Sequence, residues 1–397
     1  MEHYKYLIVG GGMTADAAVN GIREADRDGS IGLLCSEQNP PYNRPPLSKG
    51  LWKGEAVDTI WRGTEKSGVT LHLGRRAQSI EWRNKRVTDD QGIIYTFEKL
   101  LLATGATPRR LPFGDDSVIY YRTLPDYQQL RALAEEGHRF AVIGGGFIGW
   151  EIAAALAMNG KEVVMFFPDE AIGAHIYPID LARFLNEFYR QKGVNVVPGS
   201  SVVGLEGSKK GAVVKTQSHG DFPVDGVVAG VGVTPNVELA RSAGLEINDG
   251  IVVDELLRTK SPDIYAAGDV ANFFSPALGK RLRVEHEDNA NTMGREAGKA
   301  MAGQAAPYHH LPFFYSDLFD LGYEATGELD SRLETVADWK EPHREGVVYY
   351  LREARVCGVL LWNVWGQVEA ARKLIAAPGP YRASDLKGRL PENQPSN

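Results

Sequence analysis

Short apolar runs that end in glycine recur along this chain, each followed by a stretch with helical character. Tyr6-Leu-Ile-Val9 runs into Gly10-Gly-Gly12-Met-Thr-Ala15 and an apolar stretch from Ala17 to Ile22. Phe140-Ala-Val-Ile143 runs into Gly144-Gly-Gly146-Phe-Ile-Gly149 and a second such stretch from Ile152 to Met158. A continuous apolar run closed by a turn predicts a buried parallel strand, with the following helix packed on it. Further strands are predicted at Ser30 to Ser36 and at Lys161 to Phe167. Leu100-Leu-Leu-Ala103, before Thr104-Gly105, reads as a central strand whose glycine allows close backbone approach to a ligand. Gly226 to Asn236, with Gly232, repeats that strand-glycine-proline pattern, an internal duplication of supersecondary structure.

The chain then returns to its first unit at Ser261 to Val270, a short strand ending in Gly268-Asp269. From about residue 311 the composition turns aromatic. Val347-Tyr350 and Val356-Leu361 predict a hairpin, and Trp365 to Ile375 an amphipathic helix. The division expected is a discontinuous first domain over 1–110 and 242–310, a second over 111–241, and a third over 311–397. The Pro-rich segment from about 378 reads as a mobile tail. Asn39 to Lys49 reads as a rigid loop entering a short helix, with Ser48 or Asn43 as cap.

The glycine turns carry the chemistry. In G-x-G-x-x-G/A between strand and helix, Gly10 or Gly144 makes the turn and Gly12 or Gly146 admits a pyrophosphate. Ala15 or Gly149 then lets helix and strand pack closely. Two such turns predict two dinucleotides bound at once. Glu37, at the end of the second strand, suits an adenosine ribose and would repel a 2′-phosphate. In the second unit Phe167 occupies the usual acid position, and Asp169 follows the Pro168 bend. No arginine neighbours Asp169 in sequence, which favours NADH over NADPH.

Composition narrows the classes. The formal charge of −7 argues against non-specific nucleic-acid binding. No apolar run approaches the roughly 20 residues of a membrane span, and the first strand follows Met1 too closely for a leader. A prokaryotic cytoplasm is the expected address. The two cysteines, Cys35 and Cys357, lie in separate apolar runs, so no dithiol relay is expected. His309-His310 lacks a third ligand, so no metal site is expected.

Nearly the whole chain resembles the flavoprotein pyridine-nucleotide oxidoreductases without a redox disulfide, both bacterial ferredoxin reductases and apoptosis-inducing factor. The stretches that carry the likeness are Arg44-Pro-Pro-Leu-Ser-Lys49, Gly144 to Glu151, Phe167-Pro-Asp169, Val284-Glu-His286 and Tyr315-Ser-Asp-Leu with Gly322-Tyr-Glu324-Ala. Tyr349-Tyr-Leu-Arg352 and Val359-Leu-Leu-Trp-Asn363 match as well. The resemblance implies an α/β protein of glutathione-reductase-like architecture: two Rossmann-like domains, for FAD and NAD, and a small α+β C-terminal domain covering the flavin.

By the same resemblance Glu37, Arg44, Lys49 and Asp269 contact FAD, while Phe147, Glu151, Asp169, His286 and Glu324 meet the nicotinamide nucleotide. Lys49 and Glu151 form the implied catalytic pair beside the flavin ring. Tyr315 suits either core or a wall against the flavin. Glu285 and Glu287 are expected to raise the pKa of His286. Asp169 stands where the family has Glu, and Tyr315 where Trp is usual. Neither the apoptosis-type insertion nor an organelle leader is expected. The implied function is NADH oxidation through FAD to a small ferredoxin-like carrier, with Lys280-Arg281-Leu-Arg283 and Arg75-Arg76 as docking candidates. The alternative is an NADH-responsive redox protein that forms a long-lived charge-transfer complex. A homodimer is carried with either reading.

Overall fold

A computed structural model describes residues 1–208 and 211–390. They sort into two units: residues 1–43, 58–107 and 234–313, and residues 44–57, 108–233 and 314–397.

The first unit is built on parallel strands. Glu2–Val9 pairs with Ile31–Cys35 on one side and Ile94–Leu102 on the other; Val69–Leu73 extends the sheet and Ile264–Ala266 pairs with Ile94–Leu102. Leu7, Ile8, Leu33, Leu100 and Leu101 are buried in its core. Their continuous apolar runs reflect a sheet covered on both faces. The helix Met13–Ala25 lies unusually close to Glu287–Met301, because glycines face it: a Cβ on Gly294 would meet the Thr14 carbonyl oxygen at 2.4 Å, and one on Gly298 that of Ala18 at 2.1 Å.

In the second unit the parallel order is Val194–Pro198, Glu162–Phe167, Arg139–Ile143, Gly226–Ala229 and Val118–Tyr120. The C-terminal residues add a separate five-stranded sheet, in which Glu345–Arg352 and Arg355–Trp362 form the expected hairpin. The helix beside it is Val368–Ala376, so Trp365 falls outside it.

The observed division differs from the expected one in two respects. The C-terminal sheet sorts with the second Rossmann unit, and so do residues 44–57. Hydrogen bonds account for the second difference: the Leu47 carbonyl accepts from Trp52 Nε1 at 2.9 Å and from the Tyr121 hydroxyl, and Arg44 Nη1 donates to the Arg122 carbonyl at 2.8 Å. Part of the expected tail is anchored. Ala383–Leu386 forms a short helix with Leu386 fully buried, whereas residues 391–397 lie outside the described residues. Neither Ser48 nor Asn43 caps the Pro45–Ser48 turn, because both side chains serve buried charges instead.

Candidate functional site

The first glycine turn is crowded on its strand side. Gly10 has φ +128°, and a Cβ there would stand 2.0 Å from the Ala103 carbonyl oxygen; one on Gly11 would stand 2.0 Å from Cys35 Sγ. Gly12 then caps the Met13–Ala25 helix with no side-chain hydrogen bond, and Ala15 is fully buried. The positive end of the helix dipole is thereby presented to an anion rather than to a capping side chain.

Around this turn, the Tyr42 hydroxyl donates to Glu37 Oε2 at 2.6 Å. Thr104 Oγ1 donates to the Asn236 carbonyl at 2.8 Å, Asn236 Nδ2 returns a bond to the Thr104 carbonyl, and the Asn236 N–H donates to the Gly105 carbonyl. Thr104 and Gly105 are therefore held by Asn236, a residue singled out by no motif. Asp269 lies in the Gly268–Val270 turn, where Arg283 donates to its carbonyl at 3.2 Å.

His286 is the N-cap of Glu287–Met301 and overturns an expectation. Burial pushes its imidazole down to about 4, against the opposing pull of the Asp269 and Asp288 charges. Glu285 is engaged instead by Arg283, so the flanking acids do not raise His286.

The second turn repeats the first. Gly144 has φ +118°, and a Cβ there would meet the Gly230 carbonyl oxygen at 2.3 Å; one on Gly149 would meet that of Gly144 at 2.0 Å. A Cβ on Gly145 would stand 2.9 Å from the Phe167 ring. Gly146 alone of these has open space where a Cβ would go, and it caps the Phe147–Met158 helix without a side-chain bond. That open face at a helix N-terminus fits a pyrophosphate. Gly232, at φ +91°, accepts from the Arg109 N–H at 2.9 Å. Asp169 Oδ1 lies 3.1 Å from His175 Nε2. Phe147 packs edge-on against Trp150 and Phe314. Burial raises the Glu324 pKa, countered in part by the Gly366 N–H donating to its carboxylate at 3.0 Å.

Lys49 and Glu151, far apart in sequence, meet in this unit. Lys49 Nζ donates to Glu151 Oε1 at 2.6 Å, with side chains 13% and 6% exposed. Ser48 Oγ donates to Glu151 Oε2 and Ser316 Oγ to Oε1, each at 2.6 Å. The Lys49 ammonium also lies 5.3 Å from the centre of the Tyr315 ring, a cation–π contact. A buried carboxylate with a cation and two hydroxyl donors is compensated as burial requires. Ser48, Ser316 and Trp150 lie within matched stretches; the sequence marked Ser48 only as a candidate cap and the other two not individually.

The basic segments are less available than expected. Arg281 donates to the Asn272 and Val253 carbonyls, Arg283 pairs with Asp249 and Glu285, and Arg75 with Asp89. His310 Nε2 pairs with Asp288 at 2.5 Å. Both cysteines are buried, and they are not joined in a disulfide.

The chain belongs to the pyridine nucleotide-disulphide oxidoreductase family, whose model matches residues 4–294; the model of the apoptosis-inducing factor, mitochondrion-associated, C-terminal domain matches residues 297–345 and 338–377. Membership makes it a flavoprotein oxidoreductase of the FAD and NAD(P)H class, with the expected α/β fold.

Among its relatives are apoptosis-inducing factor 1, mitochondrial, of Dictyostelium discoideum, 34% identical over 94% of this chain and 79% of that protein. The ferredoxin--NAD(+) reductase component of the Burkholderia cepacia anthranilate 1,2-dioxygenase system is 33% identical over 96% of this chain and 97% of that one. A crystal structure of the covalent putidaredoxin reductase-putidaredoxin complex matches with TM-score 0.87 at 28% identity, covering 94% of this chain and 93% of the matched chain. Among the described residues no helix is long and apolar enough to cross a membrane.

Proposed function

We propose that this chain is an FAD-dependent oxidoreductase that takes electrons from NADH and hands them to a small ferredoxin-like carrier. The observation that carries the reading is the pair of glycine turns, each crowded towards its sheet and capped by a glycine without a capping side chain. FAD, when bound, supplies the conversion of hydride transfer into single-electron delivery. The chain's own residues bind, orient and set charge. Gly10, Gly12, Ala15, Glu37, Arg44, Thr104, Gly105 and Asp269 serve FAD. Gly144, Gly146, Phe147, Gly149, Asp169, Gly232, His286 and Glu324 serve the nicotinamide nucleotide, and Tyr315 backs Lys49. Lys49 offers an ammonium to developing negative charge, and Glu151 keeps that ammonium oriented.

The ferredoxin reductases among the relatives support the carrier; in this reading the protein is a prokaryotic, cytoplasmic homodimer. NADH is preferred to NADPH because the Asp169 carboxylate repels a 2′-phosphate; Asp169→Ala narrows the preference by about tenfold to a hundredfold in kcat/KM. Equal use of both nucleotides by the native protein would refute this.

The match to the apoptosis-inducing-factor C-terminal domain favours a second reading, in which NADH binding switches partner contacts and turnover is slow. Stopped-flow mixing of the FAD-loaded protein with NADH decides. Rapid bleaching and rapid reoxidation by a ferredoxin support the reductase, whereas a long-wavelength band persisting in air supports the switch. Failure to take up one FAD per chain sinks both.

A further inference from the structure

Behind the Lys49–Glu151 pair stands a second layer of hydrogen bonds with a fixed direction. Trp150 Nε1 donates to Ser316 Oγ at 2.9 Å, and Ser316 Oγ lies 2.6 Å from Glu151 Oε1. An indole N–H can only donate, and a hydroxyl has one proton to give. The Ser316 oxygen therefore accepts from Trp150, and its proton is left to Glu151. Trp150 and Ser316 are both fully buried, so water does not compete for either bond. Trp150 and Glu151 are adjacent on one helix, about 100° apart around its axis, and both reach Ser316 on the Phe313–Leu318 strand. Lys49 Nζ shares the same carboxylate oxygen, Oε1.

We propose that Trp150 and Ser316 are positioning residues for flavin reduction, acting through Glu151; this rests on the reading of Lys49–Glu151 as the electrostatic element of that step. The hydroxyl screens the carboxylate and so determines how far Glu151 offsets the Lys49 ammonium. Without the hydroxyl the carboxylate is less screened, the local potential is more negative, and electrons are accepted less readily. The indole N–H polarises the hydroxyl and strengthens its donation.

The test measures the flavin midpoint potential of the FAD-loaded protein, with the rate of reduction by NADH alongside. Ser316→Ala lowers the potential, in the same direction as Lys49→Ala and opposite to Glu151→Ala. It slows reduction about tenfold, as expected for one lost hydrogen bond to a charged group. Trp150→Phe acts in the same direction and less, and Ser316→Thr restores the native value. In a Glu151→Ala background Ser316→Ala moves the potential no further, since its route is gone. A shift that persists in that background, or no shift in the native one, overturns the proposal and leaves the Lys49–Glu151 reading standing. If Lys49→Ala and Glu151→Ala both leave the potential unmoved, that reading falls and the proposal with it. Should Trp150→Phe fail to fold, the Ser316 variants decide alone.

Discussion

Each unit places a buried carboxylate near the start of the helix that follows its glycine turn, and the two are partnered differently. In the first unit Asp16 accepts from Arg62 Nε at 2.6 Å and from the Thr64 hydroxyl. Arg62 spreads its remaining donors to Asn43 Oδ1 at 2.6 Å and Asn291 Oδ1 at 3.0 Å. In the second unit Glu151 meets Lys49 and two serine hydroxyls. The exposures are nearly matched: side chains 15% and 5% exposed for Arg62 and Asp16, 13% and 6% for Lys49 and Glu151. The guanidinium fork fastens three segments at once, which makes an architectural clamp. The ammonium is a compact charge, and among the described residues only Glu151 forms an ion pair with it. Similar burial thus serves scaffold in one unit and, in the proposed reading, chemistry in the other.

The sharpest test of that contrast is Arg62→Ala, which strips buried Asp16 of its cation, leaving the Thr64 hydroxyl and a 3.3 Å bond from Asn20, and unfastens Asn43 and Asn291. It should cost about 3–5 kcal/mol in denaturant unfolding of the flavin-free protein. A loss below about 1 kcal/mol would show that the clamp is not structural.

Next in size is a pH effect carried by His286. Its folded pKa, about 4, lies below the usual histidine value, so the unfolded chain binds a proton that the folded site refuses. Its contribution to stability is fully present above about pH 6.5, is lost as pH falls towards 4, and levels off below; the total is about 3 kcal/mol. His286→Gln should flatten this part of the profile, and an unchanged slope in the variant would assign the titration elsewhere.

Lys49→Ala should cost less than Arg62→Ala, about 2 kcal/mol, because Glu151 keeps its Ser48 and Ser316 donors. The Lys49→Ala/Glu151→Ala double variant should recover part of the loss, since neither charge is then unpaired. Strict additivity in thermal melting would deny the coupling.

The smallest stability effect is expected at Gly146. With φ at −99° and open space beyond, Gly146→Ala should change stability by under about 0.5 kcal/mol while weakening NADH binding. Gly10→Ala, by contrast, puts a Cβ against the Ala103 carbonyl at positive φ and should cost about 2 kcal/mol or more. Equal stability losses would remove the distinction between a packing glycine and a ligand-facing one.

Much of the fold was legible because its signals are local. The runs at Tyr6–Val9, Leu100–Leu102 and Phe140–Ile143 fall in buried parallel strands, and both glycine turns cap helices as their spacing requires. The errors arose where a side chain had a distant competitor. Ser48 and Asn43 have good capping chemistry, but one serves Glu151 and the other Arg62. Glu285 lies beside His286 in sequence, yet Arg283 holds it.

The sequence by itself determined the two strand–glycine–helix units and the family, because periodicity, turn chemistry and motif are properties of neighbouring residues; Lys49 and Glu151 became a candidate pair only through the family resemblance. Only the tertiary structure decided which polar groups compensate which buried charges. It put Ser48, Ser316 and Trp150 behind Glu151, gave Asp16 to Arg62, and withdrew His286 from its acidic neighbours. A buried charge takes whichever donors the packing brings within about 3 Å, and sequence separation has no bearing on that distance.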